Sequence, residues 1–175
     1  MSTTVLDAKA LAAATLEIMR AGEPADFERI VHPDFVNREA VQEPPECRGR
    51  GPAAALATKR WLHEAFADLT WEIHDLVGED ALAVVHCTTS GRHTGDFVTF
   101  RPDGAVADVF PPTGRTFATT QSHWVRVADG LVVEHWANRD DMGTALQLGW
   151  VPPTPEYLGR MAEARERAER RYGAA

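Results

Sequence analysis

Cysteine is scarce in this chain: of 175 residues only Cys47 and Cys87 carry a thiol. They form no C-x-x-C spacing, which excludes a disulfide-stapled scaffold and a zinc knuckle. Long apolar runs and a secretory core are also missing from the sequence, so no membrane span is expected, and the expected compartment is cytoplasmic with both thiols free. Basic charge is in deficit, with 18 Lys and Arg against 26 Asp and Glu and a formal net charge of -8. A nucleic-acid or anionic-membrane partner is thereby disfavoured. Seven histidines are present, yet none stands in an H-x-H or H-x-x-x-H pair, and no G-x-G-x-x-G follows a strand. The expectation is no metal and no cofactor, with a small hydrophobic or aromatic molecule as partner.

What is present reads as one α+β domain. Ala8, Leu11, Thr15, Ile18 and Met19 make a helical stripe from about Asp7 to Ala21, and a short helix follows from Pro24 to Val31, stopped by Pro33. Asp34 to Asn37 is a short extended piece. Gly51 to Phe66 is an Ala-rich third helix opened by Pro52. Beyond Asp68 the period changes to two: Trp71 and Ile73 alternate with polar neighbours, Gly78-Glu79-Asp80 turns, and Ala81 to Thr94 forms a long strand. Helices first and antiparallel strands afterwards give a curved sheet closed by N-terminal helices, a cone with a cavity. Residues 96 to 110 read as a loop-like insert. After Pro152 a linker leads to a charged helix from Glu156 to Tyr172 that reads as exposed, so residues 1–151 are expected to be the domain and 152–175 an appendage.

Asp129-Gly130 between two alternating runs is a strong hairpin signal. Taken as the loop pair, it sets Val125 against Glu134, His123 against Trp136 and Gln121 against Asn138, with Asp140 opposite Thr119. Phe117, Thr119, Gln121, His123, Val125 and Val127 share the core-side face. Gln121 and His123 are polar in the middle of that face and need polar partners there. Asp140 and Asn138 are the candidates, and Asp141 is expected to cap the helix running to Gln147, leaving Asp140 for the pocket.

Five segments together resemble the SnoaL-like polyketide cyclases, also called ester cyclases, of the nuclear-transport-factor-two-like superfamily: His32-Pro33-Asp34-Phe35-Val36-Asn37, Trp61 to Leu69, Gly91-Arg92-His93-Thr94-Gly95, Pro111 to Arg115, and Gln121 through Gly149. The resemblance implies a cone-shaped α+β barrel, a homodimer or homotetramer, and cofactor-independent ring closure of a polyketide by intramolecular aldol condensation. It puts the family's acid/base Asp on Asp140, its Gln-x-His pair on Gln121 and His123, and its pocket Asn on Asn37. Arg38 stands where many relatives carry His. Trp136, Trp61, Phe97 and Phe100 are expected as aromatic walls, with Asn138, Arg38 and His93 as further substrate contacts.

An Asp is a weak base in water, and an apolar cone raises its pKa to a useful range. The expectation is therefore Asp140 as the base, with His123, Gln121 and Asn37 on substrate oxygens. Two other readings stand beside it: an epoxide hydrolase or isomerase of the same fold, and a non-catalytic module that binds small hydrophobic ligands.

Overall fold

The computed structural model describes residues 7–173. Helix α1 (Ala8–Ala21) opens on Asp7, whose carboxylate accepts the Ala10 N–H at 2.7 Å. Helix α2 (Pro24–Ile30) follows, then strand β1 (Val31–Asn37), α3 (Gly51–Ala65), β2 (Phe66–Glu79) and β3 (Leu82–His93). Next come β4 (Phe97–Phe100), β5 (Val106–Phe110), β6 (Thr116–Ala128), β7 (Leu131–Arg139), α4 (Asp141–Leu148) and α5 (Pro155–Tyr172). Strands β1-β7-β6-β3-β2 form one sheet, parallel only between β1 and β7. This is the curved mixed sheet with N-terminal helices that the hydrophobic pattern foretold.

Strand β3 alternates strictly, with Ala83, Val85, Cys87, Thr89, Gly91 and His93 buried and their neighbours open. The period-two pattern thus places one face against α1 and α2, where Leu11, Phe27, Val85, Val125 and Val132 are almost wholly covered. Phe66, Leu69, Phe117, Leu148 and Trp150 build a second apolar layer toward the other end of the sheet, and Trp71 touches both layers. The polar residues of the inner face lie between these layers.

Residues 96 to 110 are a β-hairpin of β4 and β5 rather than a loop. Val98, Phe100, Val106 and Val109 give it a buried apolar face, and Ala164 and Ala168 of α5 pack on that face with Tyr172. The charged tail helix is therefore not an exposed appendage. Its small alanines let the helix approach closely, while Tyr157 donates its hydroxyl to the Pro111 carbonyl at 3.0 Å. Two features that looked separate in the sequence cover each other.

The Asp129-Gly130 turn is as expected: both residues have positive φ, 52° and 76°, the geometry of a two-residue primed turn. The register beyond it differs. Val127 pairs with Val132 but Arg126 pairs with Glu134, so Val133 is an extra residue in β7. This bulge moves every later residue by one position, which exchanges the two faces. His123 meets Ala137, Gln121 meets Arg139, and Trp136 meets Trp124.

Candidate functional site

On the inner face the side chains of six residues form a continuous hydrogen-bonded row. The Thr58 hydroxyl, on α3, donates to Glu43 Oε2 at 2.5 Å. Asn37 Nδ2, at the end of β1, donates to Glu43 Oε1 at 3.2 Å. Asn37 Oδ1 lies 3.0 Å from His135 Nδ1, His135 Nε2 lies 3.0 Å from His123 Nδ1, and His123 Nε2 lies 2.8 Å from Gln121 Oε1. Glu43 and His123 are buried at 5% and 7% exposure, whereas Asn37, Gln121 and His135 are half-buried, so the row is reached without unfolding.

The direction of the row follows from one backbone amide. The Glu39 N–H donates to Asn37 Oδ1 at 3.1 Å, and a backbone N–H can only donate. Together with the Glu43 carboxylate facing Nδ2, it fixes which way the Asn37 amide points. Asn37 Oδ1 must then receive a proton from His135 Nδ1, a neutral His135 offers a bare Nε2, and His123 donates to it from Nδ1. What is left at the end of the row is a His123 Nε2 without a proton, so the Gln121 amide, whose Oε1 faces the ring, has to turn its NH2 to that nitrogen, and presents its oxygen once Nε2 is protonated.

Burial sets the charges. It holds His123 well below the ordinary histidine range, with His135 and Arg139 adding repulsion, and it pushes His135 down to about 4, again with Arg139 adding. Burial also pushes the Glu43 carboxyl up, against the Thr58 hydrogen bond and the Arg139 charge. Arg139 sits at the end of the row in an ion pair with Glu39 at 2.9 Å. On the same inner face Trp71 and Thr89 are directly paired across β2 and β3, and both Trp71 Nε1 and Thr89 Oγ1 are buried without a hydrogen-bond partner. Leaving a buried donor unpaired costs about 1–3 kcal/mol. They are ready donors for an oxygen brought by a ligand.

Three of the residues expected at the site, His123, Gln121 and Asn37, stand in this row. Asp140 does not. It is the N-cap of α4: its Oδ1 accepts the Gly143 N–H at 2.8 Å and the residue is exposed. A Cβ at position 143 would run into the Asp140 carboxyl, so the glycine there fits the cap. Asp140 takes the cap expected of Asp141, and Asp141 extends into solvent with a 3.5 Å contact to Arg139. Asp140→Ala removes this cap and should cost about 1 kcal/mol of stability, read as a lowered denaturation midpoint.

The expected substrate contacts also fall elsewhere. Trp136 lies on the outer face, stacked on Trp124 at 5.9 Å with the Arg38 guanidinium 4.9 Å over its ring. The Val133 bulge is the cause for Trp136 and for Asn138, which is exposed opposite Ser122. Arg38 pairs with Glu134 on that outer face. Trp61 donates its Nε1–H to the Val98 carbonyl and stacks with Phe97 at 4.8 Å, tying α3 to the hairpin. His93 is fully buried among Phe66 and Trp150. A surface cleft of about 310 Å³ between α5 and β4 is lined by Glu64, Asp96, Arg167 and Arg171, away from the row.

Sequence reasoning missed His135, Glu43, Thr58, Arg139, Trp71 and Thr89. His135 and Arg139 were hidden by the bulge, and Glu43 sits in an aperiodic Pro-rich segment. The available signal was the need of Gln121 and His123 for partners. Arg139, the last residue of β7 and paired with Gln121, faces inward.

Buried neutral histidines make stability depend on pH. Burial brings both His93 and His135 to about 4, against about 6.5 for the unfolded chain. A folded pKa below the unfolded one means that the unfolded chain binds more protons between those values, so stability is complete above pH 6.5 and falls toward pH 4. Glu43, shifted upward, opposes part of that loss. At about 1.4 kcal/mol per unit, the melting temperature should drop by roughly 5–10 °C between pH 7 and pH 4.5. A flat profile over that range would contradict the neutral buried state.

Comparison with known proteins places these features in context. The profile described as SnoaL-like polyketide cyclase matches residues 9–148. Aklanonic acid methyl ester cyclase DnrD from Streptomyces peucetius is 32% identical over 143 residues, covering 81% of this chain and 90% of that protein. The structure of TsrD from Streptomyces laurentii superposes with a TM-score of 0.63 at 27% identity, over 79% of this chain and 92% of that one. AclR from Streptomyces galilaeus, at 20% identity and a TM-score of 0.60, shares the fold over 96% of this chain and 97% of its own.

Proposed function

Because the chain belongs to the SnoaL-like polyketide cyclase family, we propose that it closes a ring in a small aromatic polyketide by an intramolecular aldol reaction, with His123 as the acid/base. The observation that carries this reading is the hydrogen-bonded row from the Glu39 amide through Asn37 and His135 to His123, whose proton order leaves Nε2 bare once Gln121 turns its NH2 in place of Oε1. In the first step Nε2 removes a proton from the carbon between two carbonyl groups, and the electron pair of the broken C–H bond passes to an enolate. The enolate carbon then bonds to the ketone carbon of the same molecule. That ketone oxygen takes the proton back from Nε2–H, so the product is an isomer of the substrate and nothing else is consumed.

A general base has to be unprotonated when the substrate arrives. His123 is neutral at neutral pH, and a substrate oxygen can displace the Gln121 amide from its ring nitrogen. The enolate oxygen needs donors fixed in advance. Trp71 Nε1 and Thr89 Oγ1, both unpartnered, and the Gln121 NH2 supply them on one face. Val41 and Met142, 62% and 61% exposed and close in sequence to the paired Glu39 and Arg139, offer apolar surface to a hydrophobic substrate.

The direct test is incubation with aklanonic acid methyl ester or nogalonic acid methyl ester, the compounds named for the relatives, followed by chromatography and mass measurement. The expected result is a new species of unchanged mass. Tight binding of these and other aromatic polyketides with no isomer formed would favour a binding module and overturn the reading.

A further inference from the structure

A cation faces the row, and the hydrogen bonds of the fold leave most of it unused. Arg139 ends β7 opposite Gln121, on the same inner face, and its side chain keeps 31% of its surface open. Among the described residues its guanidinium donates one hydrogen bond, from Nη2 to Glu39 Oε2 at 2.9 Å, although it carries five N–H groups. Asp141 adds a looser 3.5 Å contact to Nε from a side chain that is 79% exposed. Glu39 is itself anchored, because its other oxygen accepts the Ala137 N–H at 3.2 Å. The arginines of the outer face differ: Arg38 and Arg126 both bond to Glu134 and lie over the Trp136 ring. The Arg139 charge is felt across the row. It adds to the downward push on His123 and His135 and opposes the upward push on the Glu43 carboxyl, which Thr58 and Asn37 hold at the far end. Neither Glu39 nor Asp141 is among the charges acting on either histidine. Both rings are neutral, so the field that Arg139 sets up beside them is positive.

We propose that Arg139 is a specificity-determining residue that binds an oxyanion on the substrate, so that the inner face selects molecules presenting an ionised enol or phenol oxygen. This inference rests on the inner face being the substrate site, and not on which group there moves the proton. A carbon between two carbonyl groups gives up its proton to form an enolate whose charge is spread over both oxygens. Phenols of an aromatic polyketide lose a proton from the same kind of oxygen. A guanidinium meets such an oxygen with charge-assisted N–H bonds, about twice as strong as neutral ones. Gln121, Trp71 and Thr89 are neutral donors that serve a ketone oxygen as well as a charged one. Arg139 is what makes the charged form the preferred one. Away from water an oxyanion without a cation is strongly disfavoured, and a fixed positive group reverses that preference.

The test uses 2-hydroxyanthraquinone, a flat phenol with no side chain to cyclise, whose ionised form has its own visible absorption. Its ionisation is titrated free and bound to the full-length protein, above about pH 6, where burial keeps His123 and His135 neutral. Bound to wild type, the phenol should ionise about one pH unit lower than free, which equals about tenfold tighter binding of the phenolate. Arg139→Gln should abolish or reverse the shift, and Arg139→Lys should keep part of it. Arg38→Gln removes a cation of the outer face and should leave the shift as in wild type. An unmoved shift in a folded Arg139→Gln protein overturns the proposal. Should that variant fail to fold, Glu39→Gln decides, because it removes the competing carboxylate: a larger shift supports the proposal and an unchanged one overturns it. Binding to wild type with no preference for the phenolate overturns the role of Arg139 and leaves the substrate site standing. Absence of binding at any pH overturns both, and the turnover assay reads the cyclase activity separately.

Discussion

Replacing His123 by glutamine should lower kcat by about 10³-fold, within the 10²–10⁴-fold range expected for loss of a positioned acid/base. Glutamine occupies a similar space and still bonds to its neighbours, so the fold and ligand binding should survive, seen as an unchanged melting profile and an unchanged Kd for a non-reacting aromatic ligand. The loss should not be rescued by raising the pH, because the missing group has no other source on the inner face. Gln121→Leu should cost less and act partly on KM, since Gln121 orients substrate oxygen rather than moving a proton. Full activity in the His123→Gln protein would remove the assignment, whatever the fold.

The second large effect concerns stability. Ending the chain at Val151 removes α5 and exposes the apolar face of the β4–β5 hairpin, where Val98, Phe100, Val106 and Val109 are 6%, 1%, 4% and 1% exposed. Each buried aliphatic or aromatic side chain contributes about 1.5–3 kcal/mol, part of which is lost when α5 leaves. A net loss of about 4 kcal/mol is expected, a large fraction of the 5–15 kcal/mol typical of a domain. The melting temperature should fall by roughly 10 °C, and the hairpin amides should lose their hydrogen-exchange protection before those of β3 and β6 do. A truncated chain that melts where the whole chain does would show α5 to be an appendage after all.

Much of the architecture could be read from periodicity. Strand β3 alternates without exception, α1 carries its stripe and cap, and Asp129-Gly130 dictates its turn, because each of these is decided by neighbours close in sequence. The inner-face positions of Gln121 and His123 were equally legible. What failed was register past the turn. A bulge at Val133 depends on how β7 must twist to pair with both β6 and the parallel β1, a tertiary demand with no local signature. One extra residue exchanged Trp136 for His135 on the inner face, and with it the expected aromatic wall for the central imidazole. Asp140 was misplaced for a related reason, since strand counting was carried one residue past Arg139, where the strand ends and the cap begins.

Glu43 and Thr58 show the other limit. Neither belongs to a pattern that periodicity can resolve, and they meet only because α3 packs beside β1 and brings position 58 over the loop after Asn37. The insert and the tail were each readable as segments but not as partners. A hairpin with one apolar face and a helix with three buried small or aromatic residues, Tyr157, Ala164 and Ala168, need each other to leave water. Composition alone marked the helix as charged.

The proton order in the row is the point on which the functional account turns. Two-bond nitrogen-15 correlation spectra of the ligand-free protein at pH 7.5 read it directly. The prediction is that both His123 and His135 carry their proton on Nδ1, leaving His123 Nε2 bare. A His123 ring protonated on Nε2 and bare on Nδ1 would contradict it, because the nitrogen facing Gln121 would then have no lone pair with which to take a proton.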